Sequence, residues 1–143
     1  MALDEISTAP LAHDLREALG RLNRRLRAEQ PGPPFSQAIV LSRLDTDGPA
    51  SVSELAAAER MRPQSMAQIV GDLEAAGLVS RMPDPHDKRR AITELTPAGL
   101  VTLRAMREQR EDWLAQMLDR VLHENERALL AEAVVLLRRL SDS

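Results

Sequence analysis

The sequence predicts a mainly α fold: a winged helix-turn-helix with a two-stranded β-hairpin wing and a helical dimerisation region formed by the N- and C-terminal helices. Three observations carry that expectation. Two short helix signals are joined by a tight turn, a basic loop lies between two strand-like runs, and leucine-striped helices stand at both ends of the chain. With 143 residues there is room for one domain, 1–143, large enough to fold without disulfides or structural metal. Within it, residues 36–95 are expected to form the winged region, and 11–29 together with 97–140 the helical dimerisation region.

In chain order, Leu11, Leu15, Leu19, Leu22 and Leu26 recur at steps of three and four, the spacing of one stripe on a helix over about 11–29. Pro31-Gly32-Pro33-Pro34 cannot continue it. Ser36 offers an N-cap for a second helix through Ala38, Ile39, Leu41 and Leu44, which Asp47-Gly48-Pro49 closes. Ser51-Val52-Ser53-Glu54 has the spacing of a capping box and predicts a third helix over about 52–59. Pro63, suited to a first helical position, opens a fourth helix to about Ala76, with Gly77 as its C-cap. Leu78–Met82 and Ala91–Leu95 read as short strands around Pro83-Asp84-Pro85-His86-Asp87-Lys88-Arg89-Arg90, a hairpin with a basic tip. Thr96 then caps a long helix that starts at Pro97 and reaches about Leu122. The last helix, about 124–140, is apolar around so much of its circumference that burial against a second chain is expected.

Composition narrows the function classes. The absence of cysteine removes thiol catalysis and cysteine-ligated zinc, and makes an intracellular location the default. Met1–Pro10 includes Asp4 and Glu5 and no apolar run like that of a signal peptide, so a cytoplasmic protein with no membrane association is expected. A net charge of -3 argues against indiscriminate coating of nucleic acid. The basic charge is nevertheless segregated: residues 60–90 carry a local +2, and everything outside them sums to -5.

The candidate binding residues follow from that segregation. Leu55, Met61, Met66, Ile69, Val70 and Leu73 fall where the third and fourth helices would pack, which leaves Arg62, Gln64, Ser65 and Gln68 outward on the first turns of the fourth. The N-terminal part of such a helix reaches base edges in the major groove, and glutamine can pair with adenine through two hydrogen bonds. The basic tip, Lys88, Arg89 and Arg90, could follow a DNA backbone and place an arginine in a narrow minor groove. His13, His86 and His123 lie far apart and form no i, i+4 pair, and no nucleophile elbow or phosphate loop is present. No metal, cofactor or enzymatic activity is expected.

Asp87-x-Arg89 followed by Leu95-Thr96-x-x-Gly99 resembles the wing-and-exit pattern of the MarR family of winged helix-turn-helix transcriptional regulators. Leu73-Glu74-Ala75-Ala76-Gly77-Leu78-Val79 resembles the end of their recognition helix, and the likeness extends over nearly the whole chain. The resemblance implies a triangular homodimer whose first, fifth and sixth helices interlock over pseudo-palindromic double-stranded DNA. It also implies that Arg89 enters the minor groove, Asp87 braces the wing, and Gln64, Ser65 and Gln68 face bases. Arg60 stands where many members have a glycine, and Arg62 where a serine or threonine often caps the recognition helix; a cation there opposes the helix dipole. Many members release DNA when a small aromatic or lipophilic acid binds. Trp113 and Phe35, the only tryptophan and phenylalanine, could line such a pocket or simply pack, and the ligand-binding residues stay open. The expected function is therefore a sequence-specific DNA-binding regulator, a repressor. The rival is a helical dimerisation or adaptor protein whose winged domain binds another protein.

Overall fold

The computed structural model describes residues 6–29 and 32–143; Asp4, Glu5 and the Pro31 of the helix-breaking cluster lie outside the described residues. The elements follow in the order α1 (Thr8–Ala28), α2 (Phe35–Asp47), β1 (Ala50–Ser51), α3 (Val52–Ala58), α4 (Pro63–Ala75), β2 (Val79–Pro83), β3 (Ala91–Leu95), α5 (Pro97–Val121) and α6 (Glu124–Ser141). The helices and the hairpin stand in the expected order. The chain divides into two compact units, one of Arg27–Glu108 and one of Met1–Leu26 with Gln109–Ser143.

The Arg27–Glu108 unit has its own core. Val40, Leu41 and Leu44 of α2, Leu55 of α3, Met66, Val70 and Leu73 of α4, Val79 of β2 and Leu103 of α5 form one buried cluster, with Met61 and Ile69 packed against it. The spacing of Met66, Val70 and Leu73 puts all three on one face of α4 and leaves the opposite face to solvent. The sheet has the order β1-β3-β2 and is antiparallel throughout, so the expected two-stranded wing gains a third strand. β1 contributes only Ala50 and Ser51, paired with Thr93 and Ile92. Two residues are too few to show a period, which is why the sequence reads them as the approach to α3. Thr93, in the central strand, is fully buried, and its Oγ1 has no hydrogen-bond partner among the described residues.

Helix ends agree with the turn chemistry in most places. Gly77, at φ 75°, closes α4: the Leu78 N–H donates to the Leu73 carbonyl and the Gly77 N–H to that of Glu74. α3 closes in the same way on Arg60, whose φ of 53° is the only positive value at a non-glycine among the described residues. There the Met61 N–H donates to the Ala56 carbonyl and the Arg60 N–H to that of Ala57. The expected Ser36 cap is corrected. α2 starts at Phe35 with Pro34 as its cap residue, whose carbonyl accepts the Gln37 and Ala38 N–H groups, both at 3.0 Å. Ser36 therefore sits inside the first turn.

In the other unit, α1 and α6 contain no buried residue. Leu11, Leu19, Leu22, Leu129, Leu136 and Leu140 are all exposed. A groove of about 500 Å³ runs between the leucine stripe of α1 and Leu130, Ala133, Leu136, Leu137 and Leu140 of α6. The Glu126 carboxylate accepts the His123 N–H at 2.9 Å and fixes the start of α6.

Candidate nucleic-acid interface

The helix-turn-helix is held by a buried seam and by one charged strut. Arg43 of α2 donates through Nε to Glu59, just past α3, at 2.6 Å, and through Nη1 to Asp47 at 2.9 Å. The hydrogen bond to Glu59 raises the Arg43 pKa above its ordinary value, and partial desolvation opposes it. The guanidinium stays charged, and a cleft of about 330 Å³ beside it is lined by Ile39, Ser42 and Thr46 together with these same paired groups.

Beyond the strut, α4 presents its first turns to solvent. Arg62 is the cap residue, Pro63 begins the helix, and no side chain caps its first turn, which also lacks an acidic residue. The N–H groups at Gln64 and Ser65 thus open a positive helix end. Arg62, Gln64, Ser65 and Gln68 are all exposed. Gln64 and Gln68 lie on the side of α4 away from Met66, Val70 and Leu73, with Ser65 at its flank and Arg62 just ahead of the helix.

The wing is ordered by its own aspartates. Asp84 Oδ1 accepts the His86 N–H at 2.8 Å, and Asp87 Oδ1 accepts the Arg89 N–H at 3.0 Å. The Asp84 N–H donates to the Arg90 carbonyl and the Arg90 N–H to that of Asp87, closing the loop on itself. Lys88 and Arg89 are exposed and make no ion pair among the described residues. Arg90 differs from both. Its Nη2 donates to Ser51 Oγ at 3.0 Å and pairs with the Glu54 carboxylate, and its Nε lies 3.8 Å from Asp84. Glu54 accordingly makes only part of the expected capping box. Ser51 Oγ accepts the Glu54 N–H at 3.1 Å, but the Glu54 carboxylate meets the Ser51 hydroxyl and Arg90. Sequence reasoning missed Glu54 and Asp84 as partners of the wing; the one local signal was Asp84 between two prolines, a turn-forming position.

The remaining candidates are placed as follows. His13, Asp14 and Glu17 of α1 bring ligand atoms within 4.8 Å of one another, but all three are exposed and Glu17 pairs with Arg21 at 2.8 Å. His86 and His123 stand in other elements. Trp113 lies under Arg25, 5.5 Å from its ring centroid, and Phe35 under Arg27, at 3.4 Å. Among the described residues no helix is long and apolar enough to cross a membrane.

Comparison with known proteins agrees with this geometry. The model of the MarR family matches residues 32–90. An HTH-type transcriptional regulator of Mycobacterium bovis is 37% identical over 138 residues, 95% of this chain and 96% of the relative. The HTH-type transcriptional repressor NicR of Pseudomonas putida is 35% identical over 101 residues, 69% of this chain and 64% of that protein. The crystal structure of a transcriptional regulator protein from Pseudomonas aeruginosa PA01 superposes with a TM-score of 0.82 at 40% identity, covering 94% of this chain and 96% of that one. With this winged fold and these likenesses along its length, the chain belongs to the MarR family of DNA-binding transcriptional regulators, which are not enzymes.

Proposed function

We propose that the protein is a repressor that binds pseudo-palindromic duplex DNA as a homodimer, with one α4 in a major groove and one wing along the backbone for each subunit. One observation carries the DNA reading: a single compact unit presents both an uncapped α4 start bearing Gln64, Ser65 and Gln68 and a wing tip whose Lys88 and Arg89 are unpaired among the described residues. Arg62 beside that helix end would contact phosphate, and Gln64 and Gln68 would read base edges. The exposed leucines of α1 and α6 support the homodimer. The sign of regulation rests on likeness to a relative that is named a repressor. Selection of bound fragments from a random duplex pool, followed by gel-shift titration, tests the reading. A recovered inverted repeat with two chains per duplex supports it, and absence of any sequence-selective duplex binding overturns it in favour of an adaptor role.

Release by a small aromatic acid has one observation behind it. Arg27 stacked on the exposed Phe35 offers an aromatic face and a cation together, which suits a small aromatic carboxylate. Benzoate titrated into the protein-DNA complex should displace DNA from the native protein and lose that effect in Phe35→Ala. Displacement that persists in the variant removes Phe35 from the response.

A further inference from the structure

We propose that Arg90 is a clamp that fixes the wing against the start of α3, a positioning residue for DNA binding and not a DNA contact. The inference rests on the reading of the wing as a DNA-binding element and assigns different work to neighbouring cations that look alike in sequence. Lys88, Arg89 and Arg90 are consecutive, yet among the described residues only the Arg90 side chain is engaged by acidic side chains. Its guanidinium joins three places in the chain. It pairs with Glu54 in the first turn of α3, donates to Ser51 of β1 at 3.0 Å, and lies 3.8 Å from Asp84 on the opposite stem of the wing. The anchoring side is itself firm. Ser51 is only 4% exposed, pairs with Ile92 across the sheet, and holds Glu54 through both its backbone N–H and its carboxylate.

A planar guanidinium with five donors can serve the Ser51 hydroxyl and the Glu54 carboxylate together, which a lysine ammonium on a flexible stem does poorly. Two carboxylates also compensate the Arg90 charge locally, so little of it is left to release counterions from DNA. The arrangement predicts the sign of an otherwise ambiguous substitution. If Arg90 contacted phosphate, Glu54→Gln would remove a competing anion and tighten DNA binding. If Arg90 clamps the wing, Glu54→Gln loosens the wing and weakens binding although the protein becomes less negative.

Hydrogen exchange of the full-length protein without DNA, combined with duplex titration, tests this. Arg90→Gln, Glu54→Gln and Arg90→Lys should each speed exchange of the Asp84 and Arg90 amides roughly threefold to tenfold while the α4 core amides keep their protection. Duplex affinity should fall by a similar factor in each variant. The Arg90→Gln/Glu54→Gln double variant should be no worse than the weaker single, because both remove one interaction. Lys88→Gln should weaken DNA binding without changing wing exchange. Tighter DNA binding by Glu54→Gln, or unchanged wing exchange in Arg90→Gln, overturns the clamp. If the native protein bound no duplex, the DNA reading would fall, and the exchange data would still decide by themselves whether Arg90 holds the wing.

Discussion

Gly99 has no space for a side chain: a Cβ added there would lie 2.0 Å from the Leu78 carbonyl oxygen, a backbone atom that cannot swing aside. The same turn explains the threonine three residues earlier. Thr96 Oγ1 donates to the Gly77 carbonyl at 2.6 Å and accepts the Gly99 N–H at 3.0 Å, so it caps α5 and ties it to the end of α4. Gly99→Ala is expected to cost about 1–3 kcal/mol of stability, the usual penalty of overpacking, measured as a lower urea midpoint with unchanged slope. Arg60 is the opposite case. Its left-handed backbone suits glycine, so Arg60→Gly should raise stability by about 1 kcal/mol in the same assay. If that variant also binds DNA less tightly, the guanidinium at this turn contacts phosphate. Both positions stand out in the sequence through resemblance to a family; the physical reason for Gly99 lies in the backbone of Leu78, 21 residues earlier, and that for Arg60 in the left-handed turn it closes.

At the scale of elements, the hairpin and the caps of α4 and α5 are legible because turn residues and strand alternation act over a few positions. β1 is not legible, and neither is the burial of Thr93, which the sheet order places in the central strand. Thr93→Val should raise stability by about 1 kcal/mol, since it removes a buried hydroxyl with no partner among the described residues while keeping the β-branched shape. For the wing tip, two Arg89 side chains would neutralise phosphate in each dimer-DNA complex. Arg89→Ala should therefore lower affinity and make the slope of log affinity against log salt shallower by roughly 1.8, about 0.9 for each lost contact. A folded Arg89→Ala protein with unchanged affinity and slope takes the wing tip out of the interface.

At the scale of the molecule, two long helices contain no buried residue, and leucines of both line an open apolar groove that the proposed homodimer would have to cover. A second copy is the simplest cover, and Leu136→Asp places a charge at a residue that lines the α1–α6 groove and is 55% exposed in the single chain. In a homodimer whose subunits need one another, that change should abolish cooperative folding, and the native protein's melting temperature should rise with protein concentration. A well-folded monomer in sedimentation at micromolar concentration would remove the dimer from the account.

The leucine stripe of α1, the start of α4 at Pro63, its stop at Gly77 and the basic loop after it were determined by the sequence alone. Each is encoded by residues within a turn or two of one another, where side-chain period and backbone propensity are enough. The tertiary structure decided what those patterns face. It brought Leu103 of α5 into the winged core, paired Ala50 and Ser51 with β3, and separated Arg90 from its two basic neighbours. Ser51 and Glu54 stand 39 and 36 residues before Arg90, and no local pattern encodes which acceptor a guanidinium will meet across that distance. Only the folded sheet brings them together, which is why three consecutive cations read as one basic tip in the sequence, whereas in the fold the Arg90 side chain is paired and those of Lys88 and Arg89 have no ion pair among the described residues.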